Sequence, residues 1–414
     1  MKKFENKRGT LITACIVLAV FLFVGIAEKL APPSWNMLFM VLKKGSIYAL
    51  IAVSMNLLNG FTGLFSLGQA GFMLLGAYTY GIFTIPVADR ASVYQYFDGG
   101  VIQFTLPVPL ALVLAGLVAA AFAFLIGLPV LRLKSDYLAI ATLGFAEIIR
   151  AVFQWNVLGP VTNGSNLLRK FPVFQSTISY FLVVGICVAV ILLLINSSYG
   201  RAFKAIREDE IAAEAMGINL TRHKMLSFCI SSFFAGIGGA LLAMYQTSVQ
   251  AAIFKSAMTY EILLIVVIGG IGSISGSILA SFLYIACSEW WLRFLDQETI
   301  LSTAGRPQFV VVMAVIFVIL LAMMVFRLVK PKAKARLPYG IGAGVSGLVL
   351  IWLIYFAATG QTKVPLLRNG FRMVVFSVII MIVVLFFRRG IMGTKELPEL
   401  FRKRQKTASK EVAK

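Results

Sequence analysis

The residues best equipped for chemistry lie in one charged stretch, Tyr199–Lys224, which reads YGRAFKAIREDEIAAEAMGINLTRHK and separates two long apolar segments. Arg207, Glu208, Asp209 and Glu210 follow one another directly, and Glu214 comes one helical turn after Glu210. The stretch from Arg201 to Met216 is rich in strong helix formers and has no Pro, and Gly217 stands where a helix C-cap belongs, which predicts one helix over 201–216. Ala202, Phe203, Ile206, Ala213 and Met216 fall roughly on one face of that helix, while the charges crowd its middle. Ala212, Ala213 and Ala215 keep the end slim, so the groove of another protein could close around it. This is docking chemistry, with charges to orient and small residues to approach. The alternative is a solvated connector that happens to be helical.

A second pair of ionisable groups lies inside an apolar run. In Asp136–Arg150, Glu147 and Arg150 are spaced i,i+3 and can pair on one helix face. Charges at membrane depth are expensive and face a bundle interior or a cavity. Both a place on a transport path and a purely structural ion pair fit these two residues. Glu261, at the opening of a later run, reads as interfacial. The only histidine, His223, is flanked by Arg222 and Lys224, which would repel a metal cation. Cys15, Cys187, Cys229 and Cys287 lie in apolar runs without CxxC spacing, so neither a metal site nor a disulfide frame is expected. The chain has no GxxxxGK[ST], HExxH or GxSxG, and Gly270-x-Gly272 lacks the strand that a dinucleotide fold would place before it. The sequence therefore predicts a chain that is not an enzyme and holds no cofactor, with any energy supplied by a partner.

The elements that must carry these residues follow from composition. Of 414 residues, 59% are hydrophobic and 13% charged, whereas a soluble domain is roughly half apolar and a quarter charged. Apolar runs of about 20 residues recur along the chain, each able to cross a bilayer as a helix. The candidate spans are roughly 10–28, 45–60, 64–85, 105–131, 137–157, 178–196, 225–247, 259–271, 274–292, 308–329, 338–359 and 371–387. The expectation is an all-α polytopic membrane protein of about twelve transmembrane or re-entrant helices. MKKFENKR and the apolar run after it read as an uncleaved first span, since the run is longer than a signal-peptide core and no clear cleavage site follows.

The net charge of +21 is distributed by side. Most of the 38 Lys and Arg fall at the N-terminus, at Arg132 and Lys134, in 199–224, at 327–336 and from Arg388 to Lys414, the segments expected in the cytoplasm. Anionic headgroups account for such a bias without nucleic acid. Placing 199–224 and the tail on one side requires two crossings within 259–292, although either half could be re-entrant or tilted. Lys43 and Lys44 fall on the other side, which an interfacial helix over 36–44 would relieve by snorkelling. The segment Asn59–Gly71 is too polar and glycine-rich for a lipid-facing helix, and broken backbone at that depth must be satisfied by protein or by a water-filled path. Gly272/Gly276 and Ala235/Gly239 have the small-xxx-small spacing of close helix packing.

Five blocks in fixed order resemble one family. They are MNLLNGFTGLFSLGQAGFMLLGAYT (55–79), LPVLRLKSDYLAIATLGFAEIIR (128–150), GRAFKAIREDEIAAEAMGIN (200–219), VVIGGIGSISGS (266–277) and VVLFFRRGIMG (383–393). Together they resemble the LivM-type permease subunit of branched-chain amino acid ABC importers, over roughly 45–292 and 371–393. The resemblance implies a vitamin-B12-permease-like architecture and a passive translocation subunit. The implied partners are a homologous second permease, two cytoplasmic ATP-binding subunits and an extracytoplasmic solute-binding protein. The implied location is the bacterial cell membrane, with both termini cytoplasmic. Branched-chain or other small amino acids are the implied cargo, with urea or short amides carried by related systems and an ion-coupled secondary transporter as the rival class. The 199–224 loop then matches the segment that docks on the ATPase, with Arg207, Glu208, Asp209, Glu210, Ala212, Ala213, Glu214, Ala215 and Gly217 as the coupling residues. Asn56, Gly63, Ser66, Gln69, Thr142, Glu147 and Arg150 are the candidates for the translocation path.

Three departures from the family pattern stand out. Ile211 replaces the leading Glu of the importer EAAxxxG pattern, Gln69 stands where His is common, and Arg389 stands where Pro is usual. The expected organisation is a permease domain over 1–393, with an apparent insertion of two extra spans at 299–369 joined by Lys330–Arg336, and a basic tail at 394–414.

Overall fold

The computed structural model describes residues 19–28 other than 22, 35–292 other than 98 and 134, and positions 318, 344, 347, 374–378, 381, 390–393 and 396. The chain divides into two compact units, Met1–Ala286 with Ile382–Lys414, and Cys287–Met381. Most of the candidate spans 308–329, 338–359 and 371–387, the whole Lys330–Arg336 linker and nearly all of the 299–369 insertion lie outside the described residues.

Among its described residues the first unit is mostly helical. Its elements are α1 (Ala19–Glu28), α2 (Asn36–Asn56) continued by a π segment (Leu57–Thr62), α3 (Gln69–Thr84), α4 (Val87–Val93), α5 (Val108–Val130) and α6 (Ser135–Gln154). There follow α7 (Gly159–Thr162), α8 (Thr177–Asn196), α9 (Ser198–Glu208), α10 (Glu210–Ala215), α11 (Leu220–Gln246), α12 (Ser256–Gly269) and α13 (Ile274–Ile285). A two-residue antiparallel ladder pairs β1 (Leu168–Arg169) with β2 (Ser248–Val249). Among the described residues, five stretches are long and apolar enough to cross a membrane: 36–62, 108–130, 137–154, 177–196 and 220–246.

Helix starts follow the caps that the sequence supplies. Ser176, Ser197, Asp209, Asn219 and Ser273 each precede a helix and accept a hydrogen bond from its first-turn backbone N–H. Pro107 precedes α5 and Pro109 sits in its first turn, where no N–H partner is needed.

The core is built where α3, α5 and α11 touch backbone to backbone. A Cβ at Gly76 would lie 2.0 Å from the Gly236 carbonyl oxygen, and one at Gly239 would lie 2.0 Å from that of Met73. On its other side Gly236 faces the Ala115 carbonyl, 2.7 Å from where a Cβ would stand. In a bilayer lipid tails are as apolar as side chains, so close packing rather than water exclusion holds helices together, and only glycine permits this approach.

Four expectations are corrected. The stretch 36–44 is not a separate interfacial helix; α2 runs unbroken through it, and the Lys43 ammonium is met by the Gln175 carbonyl at 2.5 Å. The third span starts at Gln69 rather than 64, because 63–68 is irregular. The pair Gly272/Gly276 is not a helix-face motif. Gly272 lies in the turn at φ +87°, and α12 meets α13 through Gly269 and Gly276, where a Cβ on either would fall within 2.5 Å of the other's backbone. The helix expected over 201–216 is two helices, because Asp209 at φ −158°, ψ 114° breaks it and caps the second. Asp readily leaves helical geometry when its carboxylate can take first-turn N–H groups, here those of Ile211 and Ala212.

At the end of the bundle away from α9, a buried Arg90 closes α3 by donating to the carbonyls of Ile82, Ile85 and Phe104. The carbonyls of Ile82 and Ile85 are C-terminal carbonyls of α3 that suit a cation, and that of Phe104 lies in the segment leading to α5. Burial pushes the neighbouring Tyr94 phenol up to about 12.

Candidate functional site

The irregular segment 63–68 is satisfied by protein. The π segment ends at Gly63 (φ +79°), whose N–H and that of Leu64 both turn back to the Leu58 carbonyl. Asn59 brackets the loop, its Oδ1 accepting from Ser66 N–H and its Nδ2 donating to Ser66 O. Thr142 of α6 accepts from Leu67 N–H at 3.0 Å, and Thr259 of α12 accepts from Ala70 N–H at 3.1 Å. Two hydroxyls on neighbouring helices thus serve the orphan donors at the start of α3. Gln69 is buried and donates to Ser54 Oγ at 2.7 Å, while Ser231 of α11 donates to Ser54 O at 2.6 Å.

Asn56 forms a separate hub at the end of α2. It is fully buried, accepts from Gly272 N–H at 2.8 Å, and donates to Ser273 O at 2.9 Å and Ser277 Oγ at 2.8 Å. The turn 270–273 that it holds joins α12 to α13. Asn56, Gly63, Ser66, Gln69 and Thr142 therefore cluster around the broken backbone between α2 and α3. Glu147 and Arg150 belong to a different arrangement. Arg150 donates to Glu147 Oε2 at 2.7 Å, and Glu147 Oε1 takes Ser256 N–H at 3.2 Å, so the pair pins the start of α12 to α6.

The docking loop has a defined face. Phe203, Ile206 and Ala213 are buried against the rest of the chain. Met216, expected on that face, is 84% exposed, and Ile211 is 82% exposed. Ala212, Glu214 and Ala215 are exposed beside them. The break at Asp209 re-phases α10 relative to α9, which turns Ala213 inward and Met216 outward. Arg207 pairs with Glu208 at 2.5 Å, and Lys224 with Glu210 at 2.6 Å. Gly217 takes φ +83° with open space around it, and Ile218 N–H returns to Ala213 O, closing a Schellman-type cap. His223 lies in the first turn of α11, and no metal-holding cluster of His, Cys, Asp or Glu occurs among the described residues.

Ser54, Ser231, Thr259 and Ser277 complete these networks without having been singled out in the sequence. Each is a small hydroxyl in a largely apolar run, and Ser231 and Ser277 stand close to other serines, a signal too common to separate partners from ordinary back-bonding hydroxyls.

The family model for the branched-chain amino acid transport system / permease component matches residues 37–328. The high-affinity branched-chain amino acid transport system permease protein LivM of Salmonella typhimurium is 34% identical over 294 residues, 63% of this chain and 64% of that protein. The chain thus spans just under two thirds of that relative. The LivH permease protein of the same organism is 25% identical over 256 residues (58% and 80%), and the nucleoside ABC transporter permease protein NupC of Lactococcus lactis is 21% identical over 200 residues (44% and 59%). No solved structure matches the chain.

Proposed function

The chain belongs to the branched-chain amino acid transport system permease family, and we propose that it is the membrane-spanning permease subunit of an ATP-driven importer for branched-chain or other small amino acids. In this reading it crosses the membrane with about twelve helices in a vitamin-B12-permease-like arrangement. It pairs with a homologous second permease, receives cargo from an extracytoplasmic solute-binding protein, and works with two cytoplasmic ATP-binding subunits, docking into an ATPase groove through 199–224.

The observation that carries the proposal is the outward face of α10. Ile211 and Met216 project almost fully into the surroundings beyond the ends of the two spans that flank them, on a short helix capped at both ends. Large apolar side chains held rigidly outside the apolar spans, rimmed by Glu208, Glu210 and Glu214, suit a protein groove better than water. Pairing with another membrane chain has its own support. α6 is the least enclosed of the five long spans, with Tyr137, Ile140 and Ile148 exposed and the Glu147–Arg150 pair only partly covered. An ion pair on a lipid-facing surface is costly, so a protein cover is favoured. The rival, ion-coupled transport through Glu147, is disfavoured because both carboxylate oxygens already hold protein donors.

The test is reconstitution of the chain in proteoliposomes with its co-purifying ATP-binding subunits and binding protein. Leucine uptake should require ATP and all components. Gradient-driven uptake by the chain alone would overturn the proposal.

A further inference from the structure

Arg207 does more than pair with Glu208. Its Nη1 donates to Gly60 O at 2.8 Å, across 147 residues of sequence. That carbonyl lies in the last turn of the π segment, where no following N–H is available to it and a cation is favoured. The side chain reaches it between two glycines. A Cβ at Gly63 would stand 2.9 Å from Arg207 Cγ, and one at Gly272 would stand 2.9 Å from Nη1. Both glycines have positive φ, so their backbone and their missing side chains together open the passage.

The turn 270–273 is gripped from three directions. Arg207 abuts Gly272, and Asn56 accepts the Gly272 N–H at 2.8 Å. The third contact is a segment more than a hundred residues later. Ile391 N–H donates to Ile268 O at 2.7 Å, and Met392 N–H to Gly269 O at 3.1 Å. Glu396 then takes the first N–H groups of α13, from Ile274 at 2.7 Å and Ser275 at 3.0 Å, together with the Ser275 hydroxyl. A carboxylate at a helix N-terminus satisfies orphan donors and the positive end of the helix dipole.

We propose that Arg207 and Glu396 are positioning residues that clamp the α12–α13 turn between the docking loop and the stretch 390–393 with Glu396, so that displacement of α9 and α10 is delivered to α12, α13 and the end of α2. This rests on the importer reading. It adds that 390–393 and Glu396 are a working part of the coupling machinery and that the turn 270–273 receives the motion. Without Arg207 the loop still folds on Phe203, Ile206 and Ala213, but its grip on Gly60 and on the turn is lost.

The experiment uses the assembled complex in proteoliposomes, with leucine as cargo, and measures leucine taken up per ATP hydrolysed together with recovery of the ATP-binding subunits. Glu396→Gln should retain assembly and ATP hydrolysis yet lower uptake per ATP at least about fivefold, the low end of coupling between distant sites, and Arg207→Ala, which lies in the docking segment itself, should lower uptake per ATP by the same measure in the complex that assembles. Arg207→Lys, which keeps the charge with a less directional donor, should fall between Arg207→Ala and the wild type. If Arg207→Ala does not assemble, the Arg207→Lys and Glu396→Gln complexes decide. Unchanged uptake per ATP in every variant that assembles overturns the clamp. A wild-type complex without ATP-dependent uptake would instead refute the importer reading itself.

Discussion

Replacing Asn56 by Ala removes a hub whose partners can be followed one at a time. Ser273 O keeps the Ser277 hydroxyl at 3.0 Å, and Gly270 O keeps Ser273 N–H at 3.1 Å, so neither carbonyl is stranded. Gly272 N–H, by contrast, donates to Asn56 Oδ1 and is left buried without that acceptor. Stranding one buried donor costs roughly 1–3 kcal/mol, and the two short bonds made by Nδ2 add about 0.5–1.5 kcal/mol each. Measured bonds between membrane helices average only about 0.6 kcal/mol, which favours the lower end for those two. The expected loss is therefore about 3 kcal/mol. Asn56→Asp separates chemistry from shape. It keeps an acceptor for Gly272 N–H but sets a carboxylate oxygen against Ser273 O in place of a donor. It should be at least as damaging as Asn56→Ala despite being isosteric. The assay is equilibrium unfolding of the purified chain in mixed micelles, followed by circular dichroism. A loss for Asn56→Ala within about 0.5 kcal/mol, the usual range for surface substitutions, would refute the hub. So would an Asn56→Asp variant more stable than Asn56→Ala.

Ile211→Glu with Met216→Glu should abolish recovery of the ATP-binding subunits on the purified chain while leaving its own unfolding midpoint unchanged, because both side chains touch little of their own protein. Ala213→Trp should do the reverse and destabilise the loop by about 1–3 kcal/mol through overpacking, seen as faster proteolysis between α8 and α11, since Ala213 is 4% exposed. Gly239→Ala should prevent accumulation of folded protein, measured as the monodisperse fraction after extraction. Its Cβ would lie 2.0 Å from a main-chain oxygen that only separation of α3 from α11 can relieve.

What the sequence determined by itself was local or cumulative. Apolar run length set the spanning helices, Ser and Asn caps set their starts, and Gly217 set the end of the docking helices, because each effect acts over a few neighbouring residues. The polar, glycine-rich 59–71 segment was legible as broken backbone, since no lipid-facing helix tolerates that composition. The ordered blocks also carried the family. Tertiary structure decided what depends on partners far along the chain. Asp209 could continue a helix or cap a new one, and packing of Phe203, Ile206 and Ala213 against the bundle settled which, keeping Ala213 on the buried face and turning Met216 out of it. Asn56 is a candidate for the path by resemblance, and only the fold shows that its side chain holds the α12–α13 turn more than two hundred residues away. No spacing in the sequence announces that Glu147 Oε1 takes the Ser256 N–H more than a hundred residues away. Helical periodicity tells which residues share a face but not what that face will meet. In a bundle whose lipid-facing and protein-facing sides are equally apolar, hydrophobicity gives no further hint, and only close backbone approach and hydrogen-bond partners distinguish them.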